Sequence, residues 1–133
     1  LRNCREVAIC NRTLYRAEQL ADRFDNAVAY PWESRDGVLV DTDILVNTTS
    51  LGMEGQAALE IDLASLPDGG VVADIVYAPL QTPLLKQASA RGLRTVHGLS
   101  MLVWQAVPSF EAVTGRPPVS PETILRELVE ERA

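Results

Sequence analysis

Two arginines, Arg12 and Arg16, stand where an apolar strand gives way to a polar turn. Glu6-Val7-Ala8-Ile9-Cys10 reads as a buried strand, and Asn11-Arg12-Thr13-Leu14-Tyr15-Arg16 follows it. In an open parallel sheet that binds a dinucleotide, this strand end usually carries a carboxylate that accepts from the adenosine ribose hydroxyls. No carboxylate stands here. A guanidinium offers a phosphate paired N–H donors, whereas a carboxylate repels it. Thr13 can cap a helix that begins at Leu14, which puts Arg16 in the first turn. Backbone N–H groups and the helix dipole favour an anion there. Arg12 and Arg16 can then reach one phosphate, so the expected cofactor is NADP rather than NAD. The plain alternative is a pair of solvated surface arginines.

Three further stretches carry polar groups where open α/β sheets bind ligands, at the carboxyl ends of strands. Asn47-Thr48-Thr49-Ser50-Leu51-Gly52-Met53 leaves one apolar strand with a run of small polar residues, fit for a ribose, a phosphate or an amide. An ordinary Asn/Thr/Ser turn is the alternative. Asp74-Ile75-Val76-Tyr77 ends another strand. Tyr77 offers a phenol at that end, or is a wedged surface aromatic. Asp74, inside an apolar run, needs partners if buried and reads as structural. His97-Gly98-Leu99 opens a helix on which Gln105 is a polar group among Leu102, Val103, Ala106 and Val107. Gly98 lets a ligand approach the backbone. Met101, Leu102 and Ala106 read as packing. His97 has no evident partner to orient it as a general base.

The elements that must position these groups alternate strand and helix. Strands are expected over Glu6–Cys10, Ala27–Tyr30, Asp43–Asn47, Val71–Val76 and Leu93–Val96. The third, a continuous apolar run, should be buried on both faces. Helices are expected from Leu14 to about Phe24, with Leu14, Ala17, Leu20, Ala21 and Phe24 inward, and from Thr82-Pro83 to Ala90 or Arg91, stopped by Gly92. Another runs from Leu99 to about Val113 with Pro108 as a kink or break, and a last one from Ser120-Pro121 with Ile124, Leu125, Leu128 and Val129 inward. Residues 32–41 read as loop or short helix, and residues 51–66 as mostly loop. The fold class is α/β: a doubly wound, Rossmann-like, mostly parallel sheet with helices on both faces. No Gly-x-Gly-x-x-Gly turn precedes Glu6, so the first strand of such a sheet is expected upstream.

Composition narrows the classes. The chain has 133 residues, suited to one domain, and 47% are hydrophobic. A net charge of −6 leaves no broad basic face for nucleic acid. No apolar run approaches the ~20 residues of a membrane span, and no signal peptide is visible, so a cytoplasmic protein is expected. Cys4 and Cys10 read as buried reduced thiols, and no metal-ligand spacing appears. Leu1-Arg2-Asn3-Cys4 reads as the tail of a helix without an initiator Met, as in a piece of a longer chain.

Taken together, the motifs resemble the cofactor-binding domain of shikimate dehydrogenases. They are Asn11-Arg12-Thr13-x-x-Arg16-Ala17, Asn47 to Met53, Asp74-Ile75-Val76-Tyr77-x-Pro79-x-x-Thr82-Pro83-Leu84-Leu85, Gly98-x-x-Met101-Leu102-x-x-Gln105-Ala106, and Phe110 with Thr114-Gly115. The resemblance implies an oxidoreductase that reduces 3-dehydroshikimate to shikimate with NADPH in aromatic amino acid biosynthesis (the chorismate pathway). It implies that Asn11, Arg12, Thr13 and Arg16 hold the 2′-phosphate and that Thr49 and Ser50 lie near the cofactor. Ile75 and Gly98 would flank the nicotinamide end, and Tyr77 and Gln105 would reach the substrate. The family's catalytic Lys and Asp belong to a substrate domain with no counterpart here, so no catalytic residue is expected in this chain. Residues 1–133 would be a partial NADP-binding domain that includes C-terminal helices over 99–132. Thr48 stands where the family more often has Ala. A quinate/shikimate dehydrogenase paralogue and a non-catalytic NADPH-binding module remain as alternatives, and a homodimer is left open.

Overall fold

The structure is a computed structural model that describes residues 4–118 and 120–131. The helix tail expected at Leu1, Arg2 and Asn3 lies outside the described residues, as does Arg132, where the last helix is expected to end. The chain forms two compact units, Leu1–Thr42 with Ile61–Pro67, and Asp43–Glu60 with Asp68–Ala133.

In the first unit, β1 (Val7–Asn11) and β2 (Ala27–Pro31) pair in parallel, with Asn11 opposite Pro31. The helix between them, α1 (Leu14–Ala21), packs on both strands through Ala17 and Ala21, small residues that let the backbones approach. Leu14 and Leu20, expected inward, are 38% and 42% exposed. The helix also stops at Ala21, before Phe24, because Phe24 N–H turns back to the Ala21 carbonyl. Residues 32–41 hold two 3-10 turns, Trp32–Ser34 and Gly37–Asp41. A third 3-10 turn, Leu63–Ser65, packs on the second of these, and Leu39, Leu63 and Leu66 are buried.

In the second unit, β3 (Ile44–Asn47), β4 (Val71–Asp74) and β5 (Arg94–Val96) form a parallel sheet in that order. The strands therefore fall into a pair and a triplet. In the doubly wound order 3-2-1-4-5-6, strand 1 joins strands 3-2 to strands 4-5-6, so the same partition arises where that strand is lacking. β3 is not buried on both faces: Ile44 is 58% and Val46 48% exposed. β3 pairs only with β4 and so lies at the edge of its sheet. A run of apolar residues shows strand propensity, but burial depends on what covers it.

α2 (Pro83–Ala90) packs on β4 and β5 and buries Leu84, Leu85 and Ala88. Its start is as expected: Pro83 occupies the first position and the Thr82 hydroxyl accepts from Leu85 N–H at 3.3 Å. Gly92, at φ +72°, follows its end. α3 (Gly98–Thr114) runs unbroken through Pro108 and ends in left-handed Gly115. It packs against α4 (Pro121–Glu130). Met101 and Leu102, read as packing, are 44% and 38% exposed, and Ala106 is exposed too. Only Gly98 and Leu99 of α3 are buried. In α4 no residue is buried, and Ile124 is 43% exposed. Among the described residues no helix is long and apolar enough to cross a membrane.

Both cysteines are free thiols, but Cys4 is exposed rather than buried. Cys10 is half-buried, and desolvation pushes its thiol above the ordinary range against the opposing field of Arg35. A raised pKa means less thiolate, the reactive form. At pH 8, maleimide labelling should therefore show a fast phase at Cys4 and a phase slower by about tenfold or more at Cys10. Cys4→Ser should remove the fast phase alone; equal rates at the two sites would contradict this environment for Cys10.

Candidate functional site

The arginine turn is built by the end of β1. Asn11 Oδ1 accepts from Thr13 N–H at 2.9 Å and so closes the turn that starts α1. Thr13 occupies the N-cap position in extended conformation, but its hydroxyl makes no capping bond, contrary to the expected cap. The reason is local: the Asn11 side chain holds the Thr13 amide, and the Thr13 carbonyl accepts from Arg16 N–H at 2.9 Å. No acidic residue lies in the first turn. Arg12 and Arg16 are exposed, and neither forms an ion pair or a side-chain hydrogen bond among the described residues. Uncapped N–H groups, a hydroxyl and two solvated guanidinium groups thus share one turn, a donor set for a phosphate.

In the second unit a buried side-chain network ties together the loops that leave β3 and β4. Asp74 is 2% exposed and Asn47 is 3% exposed. Asp74 Oδ1 accepts from Asn47 Nδ2 at 3.1 Å and from Val76 N–H at 3.0 Å. Its Oδ2 accepts from the Thr82 hydroxyl at 2.7 Å. That hydroxyl also caps α2, so the carboxyl group lies behind a helix N-terminus, where the dipole favours negative charge. Asn47 Nδ2 also donates to the Leu51 carbonyl at 3.0 Å. Asn47 Oδ1 accepts from Thr49 twice, from N–H at 3.0 Å and from the hydroxyl at 2.8 Å. Thr49 Oγ1 in turn accepts from Leu51 N–H at 3.0 Å. The Thr49 hydroxyl is therefore engaged in shaping the loop. Ser50 is exposed at its tip. Gly52 follows at φ +90°, packed toward Thr82.

The start of α3 lies directly on the end of β4. Gly98 N–H donates to the Val76 carbonyl at 3.3 Å. A Cβ at Gly98 would collide with the Ile75 carbonyl and come within 2.6 Å of the Val76 oxygen. Only glycine fits against these two carbonyls, so the backbones of Gly98 and Ile75 are brought into close contact. Tyr77 is 47% exposed, three residues beyond the last residue of β4. Gln105 is exposed on α3. The structure thus joins Thr49, Ile75 and Gly98 through β3, β4 and the network beneath them. It leaves Ser50, Tyr77 and Gln105 as exposed polar groups of the same unit. Asn11, Arg12, Thr13 and Arg16 belong to the other unit. His97 is accounted for otherwise: its Nδ1 accepts from Ser100 N–H at 3.4 Å and caps α3.

Two contributors escaped the sequence reading. Asn47 is the hub of the loop it opens, and Thr82 is the partner of Asp74 as well as a cap. An amide and a carboxylate at the ends of successive apolar strands were the available signal.

The sequence of the chain is 55% identical over 130 residues to a shikimate dehydrogenase (NADP(+)) of Chelativorans sp. (strain BNC1), covering 96% of this chain and 46% of that protein. The chain is similar to shikimate dehydrogenases over the part of them that it matches. It spans somewhat under half the length of the curated relatives it matches, 46% of the first and 47% of another from Rhodopseudomonas palustris (strain BisB18). No protein-family model matches the chain. Among solved structures, the shikimate 5-dehydrogenase of Thermus thermophilus in complex with NADP(H) and shikimate has a TM-score of 0.77 at 36% identity, over 96% of this chain and 46% of that one. These likenesses establish the Rossmann-like α/β fold expected for the chain.

Thr82→Val removes both the donor to Asp74 and the cap of α2. A hydrogen bond to a buried carboxylate and a helix cap together contribute roughly 2–4 kcal/mol. Urea denaturation should show a loss of about that size for Thr82→Val and under about 1 kcal/mol for Thr82→Ser, which keeps the hydroxyl. Equal losses in the two variants would mean that the methyl group, not the hydrogen bonds, matters at this position.

Proposed function

We propose that this chain is the cofactor-holding part of an NADP-dependent shikimate dehydrogenase, a cytoplasmic oxidoreductase that reversibly reduces 3-dehydroshikimate to shikimate in aromatic amino acid biosynthesis. The observation that carries the reading is the pair of unpaired guanidinium groups, Arg12 and Arg16, at an uncapped helix start in a chain of net charge −6. A carboxylate at this point would select against a 2′-phosphate, and none is present.

In this reading Asn11 shapes the turn, and Arg12, Thr13 and Arg16 hold the 2′-phosphate. Thr49 and Ser50 present the loop after β3 to the cofactor. Ile75 and Gly98, whose backbones are in close contact, flank the nicotinamide end of the cofactor. When bound, the reduced nicotinamide supplies hydride to a carbonyl carbon. Tyr77 and Gln105, polar and exposed, orient the substrate by hydrogen bonds. The proton is handled by an acid–base pair that we assign to the part of the relatives this chain does not match. A pure NADPH sensor has no use for the exposed Tyr77 phenol and the Gln105 amide, which favours the enzyme. A quinate dehydrogenase is the second reading. One from Corynebacterium glutamicum in complex with NAD has a TM-score of 0.85 over 96% of this chain and 47% of that one, though at 28% identity.

In the full-length protein, replacing Arg12 and Arg16 with Ala should raise the KM for NADPH by about tenfold or more and change that for NADH by less than about twofold. An equal effect on both cofactors would contradict 2′-phosphate recognition. The 133-residue chain alone, given NADPH and 3-dehydroshikimate, should show no turnover above background; robust activity would overturn the assignment of the acid–base pair elsewhere.

A further inference from the structure

The turn that follows β2 holds an aromatic–cation pair that the roles above leave unused. Trp32 opens this turn, and the Arg35 guanidinium lies over its ring at 5.0 Å from the centroid. Arg35 also donates to the Trp32 carbonyl at 2.9 Å and sits 3.8 Å from Asp36 Oδ1. Asp36 in turn accepts from Asp62 N–H at 3.3 Å, which ties the turn to the start of the 3-10 turn Leu63–Ser65. The guanidinium is therefore tethered over the indole. The indole is half-buried, so part of it faces solvent.

Its place in the fold gives this pair meaning. β1 and β2 are parallel and in register, Asn11 beside Pro31, so Arg12 and Trp32 are the next residues out of neighbouring strand ends. Adjacent strands lie about 4.8 Å apart. Arg12 and Arg16 follow the end of β1, and Arg35 closes the turn that follows the neighbouring β2, in an acidic chain. A nucleotide drawn there by its phosphate carries a base with a π face. An indole already polarised by a stacked guanidinium is a platform for it.

We propose that Trp32, held by Arg35, is the platform for the nucleobase of a 2′-phosphorylated adenosine whose phosphate sits on Arg12 and Arg16. The inference rests on the nucleotide reading above and adds a residue that selects for an aromatic base rather than for phosphate alone.

Adenosine 2′-monophosphate is the probe, since it carries base, ribose and 2′-phosphate and no pyrophosphate. Trp104→Phe leaves Trp32 as the sole tryptophan of the chain. In that variant the nucleotide should quench tryptophan emission saturably, and adenosine 5′-monophosphate should bind about tenfold more weakly. By calorimetry, Trp32→Ala should weaken binding about tenfold and Trp32→Phe less than about threefold, with inorganic phosphate binding unchanged in both. If Trp32→Ala keeps the parent affinity while the Arg12→Ala, Arg16→Ala variant loses binding, the platform is wrong and the nucleotide reading stands. If the parent chain does not bind the nucleotide, or binding ignores Arg12 and Arg16, the nucleotide reading falls and the platform with it.

Discussion

A buried carboxyl group governs the second unit. Asp74 takes hydrogen bonds from three elements at once: the Asn47 side chain at the end of β3, its own chain at Val76, and the Thr82 hydroxyl at the start of α2. A carboxyl group without such partners would not be kept at 2% exposure, since losing even one donor costs on the order of 1–3 kcal/mol. Asn47 then passes the constraint to Thr49 and Leu51, so the shape of the loop after β3 depends on a group seated in β4. The start of α3 is seated against the same strand end, where Gly98 packs on the carbonyls of Ile75 and Val76.

The first unit works by a different principle. Its donors are left open rather than satisfied. The Asn11 side chain closes the turn, Thr13 leaves the helix start uncapped, and Arg12 and Arg16 remain solvated. Exposed charges of this kind add little to stability, because water screens them. In the proposed function their worth lies in charge selection: a helix start and guanidinium groups in an acidic protein favour the more highly phosphorylated of two otherwise similar coenzymes. The proposed base platform at Trp32 extends that selection from charge to ring stacking.

Much of this was legible in the residues. The alternation of strands and helices followed from apolar runs and from punctuation such as Thr82-Pro83 and Gly92, which the structure uses as written. The loops after β3 and β4 stood out as polar groups at strand ends, a pattern that ordinary turns share. Burial was not. Ile44, Val46, Met101 and Leu102 are apolar and read as core, yet all are exposed, because side-chain type does not say which face a neighbour covers. Asp74 could be seen only as a group in want of partners. Asn47 and Thr82 lie 27 and 8 residues from it, and no local pattern links them. Trp32 and Arg35 read only as part of a loop or short helix, since a stack across a single 3-10 turn leaves no periodic signal.

Hydrogen exchange tests the central claim, that one side-chain network holds the functional loops as a unit. The amides of Thr49, Leu51, Val76 and Leu85 all donate to its side-chain oxygens. Measured by NMR, the four should open together with one protection free energy, and Asp74→Asn should lower all four while the β1–β2 amides keep theirs. Four unrelated protection values, or an Asp74→Asn effect confined to Val76, would show that the loops are held separately and that the account is wrong.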